Sequence, residues 1–523
     1  MSKQETHKAY ATSEKMIEHA PESRVKDHIP DYGKSWIFVS HLRTLNIMLI
    51  VPLLTAYTTG FDGSMLNGMQ SLPYWNQDFN NPTGSILGLV NTIQLIGSIA
   101  VIPFTPMVAD RYGRRAGIFG GSLVLIIGAV IMGAGPSLGT FLAGRALVGA
   151  GSAFVNVAAA PMLGELAYPS HRPIITAIHN TSWYLGAIVA AWTTYGTFKM
   201  PNSWSWRIPC LLQAAPSLIQ LIAVYFIPES PRWLIANDRS EEAQRVLCRY
   251  HAGTEEPTEL VLAEMDEITA AIAMEKLQNT SSYLDFFKTA GNRHRIFICI
   301  TMGFLIQWCG NGLVSYYLVQ VLKSVGITDP EVQNIINGIL QIFNYIVAVS
   351  SALLVERFGR RRLFLISLSG MTVAFIIWTA VSAVNQQQGF ANKGLGIGVV
   401  TMIFVFFLFY NMAMNPVPTT YLLEILPYTL RAKGLTIFNM GQFCSSVFNG
   451  FANPVALAAI NWKYYIVYVC ALLFWFAIVW FTFPETRGRS LEEVALIFDG
   501  EQALQRTEKN VEKEGTTEVI EQL

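Results

Sequence analysis

The chain has 523 residues, of which 52% are hydrophobic and only 14% charged, and its mean hydropathy is +0.37. Soluble domains carry about 25% charged residues, so this chain cannot cover itself in water and reads as an all-α polytopic membrane protein. The 36 Lys+Arg offset 36 Asp+Glu, which leaves no net field to draw nucleic acid or acidic substrates. Its six cysteines, none closely paired, make neither a disulfide scaffold nor a CxxC zinc or redox site.

Residues 1–43 are polar and lack the apolar stretch of a cleavable signal peptide, so they are expected to form a cytoplasmic tail. Apolar runs of about 20 residues then recur, each long enough to cross about 30 Å of hydrocarbon. Six lie near 44–64, 86–108, 116–135, 139–161, 173–196 and 207–227. Six more lie near 296–322, 332–355, 363–384, 395–420, 434–457 and 463–483. The chain therefore divides into a six-helix half (44–228), a central loop (229–295), a second six-helix half (296–484) and a tail (485–523). In the central loop, Glu241–Arg245 and Glu264, Met265, Glu267 and Ile268 show the spacing of amphipathic helices lying under the bundle.

Basic residues orient the spans. Arg111, Arg114, Arg115, Arg172, Arg357, Arg360, Arg361, Arg362, Arg431 and Lys433 share one side with both termini and the central loop. The other side holds Lys199, Arg207, Lys323, Lys393 and Lys463. The positive-inside rule makes the first side cytoplasmic.

The loops on that side repeat. Asp110-Arg-Tyr-Gly-Arg-Arg115 is answered by Glu356-Arg-Phe-Gly-Arg-Arg361, 246 positions from Asp110 to Glu356. Glu165-Leu-Ala-Tyr-Pro-Ser-His-Arg172 is answered by Glu424-Ile-Leu-Pro-Tyr-Thr-Leu-Arg431, 259 positions from Glu165 to Glu424. Pro228-Glu-Ser-Pro-Arg232 is answered by Pro484-Glu-Thr-Arg487, 256 positions from Pro228 to Pro484. Three markers in one order report a duplication, and a parallel six-plus-six repeat places a ligand site between the halves.

With these motifs, continued as Trp233-Leu234 and Gly488, the chain resembles the sugar porter branch of the major facilitator superfamily over about residues 44–495. The resemblance implies the twelve-helix fold of that superfamily and transport by alternating access, with no cofactor, no metal and no enzymatic step. It also implies a gate of loop charges that joins neighbouring helix ends in the outward-facing state and releases on inward opening. Those charges are Asp110, Arg114, Glu165, Arg172, Glu229, Arg232, Glu356, Arg360, Glu424, Arg431 and Glu485.

Two ionisable side chains fall well inside the spans, Asp62 and Arg145. A charge at such depth costs about 2.5–3.5 kcal/mol on insertion scales, so each needs a partner. Both positions fall toward the outer half of their helices and can pair. A carboxylate beside an arginine stays ionised, and one that loses the arginine in a dry site takes up a proton, so proton binding would follow conformation. In proton-coupled sugar porters an Asp in Gly-Phe-Asp and an Arg in Gly-Arg do this, and Gly60-Phe61-Asp62 and Gly144-Arg145 match.

A neutral polyol needs amides for its hydroxyls and an aromatic face. Asn180 stands where hexose carriers usually have Gln, and Gln307 is what remains of their adjacent Gln pair, with Gly312 in place of a later Asn. Asn311, Tyr316, Asn337, Asn415, Thr419 and Gln442 complete the expected sugar contacts, with Thr419 standing where hexose carriers often have Trp. Any one such amide can instead be interhelical glue. The loss of Trp and amides resembles the fungal lactose permease and cellodextrin transporter group, and the roomier pocket it suggests points to a disaccharide. The expectation is a proton-coupled disaccharide importer of the plasma membrane. A monosaccharide carrier is the alternative, and export or nutrient sensing stand behind it.

Overall fold

A backbone in hydrocarbon has no water to bond with and satisfies itself within helices. The computed structural model describes Val25 and residues 27–30, 32–278, 282–489 and 491–499, without the side chains of 274–278, 352–357, 428, 491, 492 and 495. Residues 279–281, most of both tails and the Glu356 side chain therefore lie outside the described residues. The long helices of the first half are α1 (Ser40–Met69), α2 (Gly84–Val101), α3 (Arg114–Ala134), α4 (Leu138–Leu166), α5 (Arg172–Thr197) and α6 (Trp204–Phe226). Those of the second are α7 (Ala290–Ser324), α8 (Pro330–Phe358), α9 (Arg360–Gln387), α10 (Lys393–Ile425), α11 (Arg431–Ile460) and α12 (Tyr464–Thr482).

The continuous stretch Arg431–Thr482 crosses twice. It turns at Asn461–Lys463, where Asn461 takes φ +49°. Several helix ends run up to six residues beyond the sequence reading, among them the end of α4 at Leu166 and the start of α7 at Ala290. α1 runs on to Met69 instead of stopping near 64. The second run splits, because Pro103 and Pro106 interrupt it between α2 and a separate helix, Thr105–Tyr112. α7 breaks at Gly310 (φ +105°), and α10 breaks at Asn415-Pro416, between Ala413 and Val417.

The packing repeats as the loops do. In the first half α1 lies on α5, and both α2 and α3 lie on α4. In the second, α7 lies on α11, and both α8 and α9 lie on α10. Across the halves the main contacts are α2 with α11 and α5 with α8, a pair related by the same duplication. Close approach of α1 and α5 depends on two glycines: a Cβ on Gly60 would strike Trp183 O, and one on Gly186 would strike Tyr57 O. Outward-facing Ile127, Ile222, Ile346, Ile376 and Phe481 are exposed, a surface suited to lipid.

The central loop forms Pro231–Ala236, Ser240–Leu247, a π-helical turn Cys248–Ala252 and Glu259–Gln278. Ala243, Leu247, Leu260 and Val261 are buried, as an amphipathic helix requires. Glu264 does not follow that pattern. It is buried, accepting from His251 Nδ1 (2.7 Å) and pairing with Arg172 (3.5 Å). His251 Nε2 lies 3.2 Å from Leu166 O at the end of α4, so this one histidine ties the loop to the first half.

Candidate transport site

Asp62 and Arg145 meet. Asp62 sits about two turns before the end of α1, and Arg145 about two turns into α4, so antiparallel helices bring both to one depth. Arg145 Nη1 lies 3.5 Å from Asp62 Oδ1, and Nη2 donates to Gln94 Oε1 on α2 at 3.0 Å. Both charged residues are 2% exposed. Asp62 Oδ2 and Arg145 Nε have no protein hydrogen-bond partner. The pair lines a polar cavity of about 420 Å³ with Asn91, Gln94 and Asn156 from the first half and Tyr316 and Ser446 from the second. A larger cleft of about 590 Å³ is walled by aliphatic and aromatic groups, and its one hydroxyl, Ser369, is committed to Leu365 O. Apart from the Trp480 indole it offers little to a polar ligand.

The expected sugar contacts are scattered more widely than the charged pair. Tyr316 alone among them lines the polar cavity. Asn311 Oδ1 accepts from Ser315 (2.7 Å), and the Gln307 carbonyl accepts from Asn449 (2.7 Å). Asn337 is buried on α8, with Oδ1 accepting from Gln341 (3.4 Å) and Nδ2 unpartnered. Gln442 is half-buried on α11, and Asn180, Asn415 and Thr419 are exposed. The space opened by Gly312 is not free: a Cβ there would meet Asn449 Nδ2 at 3.2 Å and Asn453 Nδ2 at 3.6 Å. The roomier pocket expected at this position is filled by the neighbouring α11.

Sequence reading missed a network between the halves. Tyr184 on α5 donates to Asn411 Oδ1 on α10 (2.8 Å), and Asn415 Nδ2 donates to the Tyr184 hydroxyl. Asn411 Nδ2 continues to Asn344 Oδ1 on α8 at 3.0 Å. A tyrosine two positions before Gly186, on the helix that carries Asn180, was the available signal.

The two ends of the bundle differ. At the end away from the basic loops the halves are tied together. Asn67 donates to Val314 O (3.3 Å) and Ser315 O (2.5 Å), Gln70 to Tyr316 O (2.8 Å), and Asn334 to Ser71 (2.7 Å). These carbonyls are free because α7 loses helical geometry at Tyr317 (φ −133°, ψ 26°). Lys199 pairs with Glu331 at 3.0 Å across the same end.

At the basic end the loop charges form one cluster per half. Arg114 contacts Asp110 (2.8 Å) and Glu165 (3.4 Å), and Ser230 donates to Glu165 (2.6 Å). Glu229 accepts the first amides of α3, from Arg114 (3.1 Å) and Arg115 (3.2 Å), as an anion at a helix N-terminus does. Burial pushes its carboxyl above the usual range, against the pull of the Ser230, Arg115 and Arg114 amides. In the second half Arg360 pairs with Glu424 (2.9 Å), Thr486 donates to Glu424 (2.6 Å), and Glu485 accepts the Arg360 amide (2.9 Å). Arg172 turns to Glu264 and Glu267 of the central loop, both at 3.5 Å. Arg232 lies in the helix Pro231–Ala236, and Arg431 opens α11. Both clusters are formed while the opposite end is shut. They join helix ends of the same half, so shutting that end has not parted them.

Two six-helix halves meeting around a buried charged pair and a polar cavity, shut at one end, define a membrane carrier rather than an enzyme. A family model described as "Sugar (and other) transporter" matches residues 46–498, and the chain belongs to this family. It is 28% identical over 475 residues to Hexose transporter 2 of Kluyveromyces lactis, covering 86% of this chain and 82% of that one. It is 25% identical over 461 residues to the MFS-type transporter criB of Aspergillus cristatus, covering 88% and 94%. The fold is similar to the inward open conformation of the xylose transporter XylE from E. coli, with a TM-score of 0.72 and 22% identity over 87% of this chain and 100% of that one.

Proposed function

We propose that this protein takes up a monosaccharide, a hexose or pentose, together with a proton. The observation that carries the coupling is the Asp62–Arg145 pair. It is buried, it lines a polar cavity reached by both halves, and each partner keeps one unfilled hydrogen-bonding atom. Rocking that withdraws Arg145 leaves Asp62 desolvated, where the proton-bound form is favoured. A monosaccharide is preferred to the disaccharide expected from sequence on two grounds. Matching relatives are named as hexose transporters, and Asn449 fills the room at Gly312.

The carrier works by alternating access in the plasma membrane, with the basic loops and both termini cytoplasmic. Asn180, Gln307, Asn311, Tyr316, Asn337, Asn415, Thr419 and Gln442 supply the sugar contacts, and the loop clusters keep each half rigid as it moves. The test is external alkalinisation of de-energised cells on addition of glucose, galactose, xylose, lactose, cellobiose or maltose. The expected result is alkalinisation with monosaccharides. A response to disaccharides alone restores the larger-pocket reading, and silence on all sugars with surface expression verified overturns sugar–proton symport.

A further inference from the structure

The network between the halves contains a hydroxyl that behaves as a ligand hydroxyl would. Tyr184 donates to the Asn411 carbonyl and accepts from the Asn415 amide. Asn415 Nδ2 also reaches Asn411 Oδ1 (2.6 Å), so the three groups close a ring. One acceptor and one donor side by side fit a group that both gives and takes a hydrogen bond. A carboxylate or phosphate only accepts and would face the Asn411 oxygen; an ammonium only donates and would face the Asn415 amide. The matched partner is a neutral hydroxyl.

The ring also has exposed polar groups beside it. Tyr184, Asn411 and Asn344 are buried, whereas Asn415 is exposed. Asn180 lies four positions from Tyr184 on α5 and shares its face one turn toward the basic end, and Thr419 lies in Val417–Ile425, on the basic side of the break at Asn415-Pro416. Both are exposed. Exposed polar groups therefore flank the ring on that side, while the opposite end is shut by Asn67, Gln70 and Asn334.

We propose that Tyr184 is a tethered stand-in for a substrate hydroxyl. In the ligand-free carrier its phenol occupies the Asn411 and Asn415 amides, and a substrate binds by displacing it. Tyr184 then sets affinity by competition. Because the ring joins α5 to α10, it also holds the empty carrier in the state closed at the far end. The identity of the ligand as a sugar rests on the proposed function, but the tether does not.

The full-length protein tests both parts. A spin-label pair at Gln77 and Gln387, exposed and on opposite halves at the far end, reads the ligand-free equilibrium by pulsed paramagnetic resonance. Tyr184→Phe keeps the ring and removes only the hydroxyl, and it should move that equilibrium about three- to tenfold toward opening, the worth of one net hydrogen bond. Binding of glucose, galactose and xylose to the purified protein should tighten by a similar factor in Tyr184→Phe and weaken in Asn411→Ala. Unchanged label distances overturn the tether. Weakened binding in Tyr184→Phe, matching Asn411→Ala, overturns the stand-in by making Tyr184 a direct contact, and unchanged affinity reduces the ring to structural glue. If wild type binds none of the sugars, the sugar reading fails, and the label distances still decide the tether.

Discussion

The two halves of this carrier agree at the basic end and disagree in the middle of the membrane. At the basic end each half has a glycine with positive φ before its third helix, an arginine paired to a glutamate, a hydroxyl on that glutamate, and a second glutamate on the helix amides. Gly113, Arg114, Glu165, Ser230 and Glu229 are answered by Gly359, Arg360, Glu424, Thr486 and Glu485. In mid-membrane the first half holds Asp62, Arg145 and Gln94, whereas the second brings Asn344, Asn411 and Asn415. Duplication preserves what both halves must do, which is to stay rigid while rocking. It lets diverge what only one half must do: charge in the first, neutral amides in the second. On the proposed function, a carrier that couples two unlike ligands gains from keeping their sites on different halves.

The strongest way to break that division is Asp62→Asn. Accumulation against a gradient should fall to none while exchange of sugar across the membrane persists, measured as labelled sugar uptake and counterflow in vesicles. Accumulation equal to wild type would mean that coupling lies elsewhere, with the second half as the place to look.

The repeated end was the part most readable from sequence, because a loop charge at a fixed offset carries its own register. The clusters' hydroxyls, Ser230 and Thr486, lay inside the quoted motifs, yet only coordinates show which oxygen they meet. The Asp62–Arg145 contact was legible too, since an unpaired charge in hydrocarbon demands a partner and only two such charges stood at matching depth. The amides gave no such demand. Asn and Gln serve equally as ligand contacts or as glue, so Gly312 read as empty space when Asn449 fills it, and Asn411 was not singled out at all. The burial of His251 and Glu264 was missed for a related reason: in a polar loop a polar side chain is expected at the surface, and here two of them are buried against each other.

Next in size are the paired glycines. Gly113 (φ 96°, ψ 166°) and Gly359 (φ 85°, ψ 149°) occupy backbone space that side chains rarely enter, and a Cβ on either would press on the capping glutamate. Alanine at either should cost about 1–3 kcal/mol, read as thermal stability of the purified protein. The clash at Gly359 is 2.9 Å, and at Gly113 it is closer, so Gly113→Ala should be the worse. Smaller still are Glu165→Gln and Glu424→Gln. Each keeps hydrogen-bonding capacity but loses the charge assistance, and turnover should drop about fivefold in both, corresponding to about 1 kcal/mol. Markedly unequal effects would show that the matched clusters are not matched in function.

The smallest expected effect concerns a place where even the repeated end differs. His171 stands in the first half where the second has Leu430, the positions just before Arg172 and Arg431. Its ring meets Trp36 of the N-terminal segment edge-on at 6.3 Å, and its Nδ1 lies 3.4 Å from Asn46 Nδ2. Burial, and then the neighbouring His251, hold its pKa below the ordinary 6.5. A depressed value in the docked state means that the neutral ring is the one that fits. Docking of the segment is therefore complete above about pH 6.5 and is lost as pH falls through the lower docked value. A dye at Ser35 should lose anisotropy across that acid range in wild type by a few-fold shift in docking, and His171→Leu, which installs the second half's residue, should flatten the response. An acid response that survives in His171→Leu would move the titration to His41, and with it the claim that this position is where the two halves part company in pH.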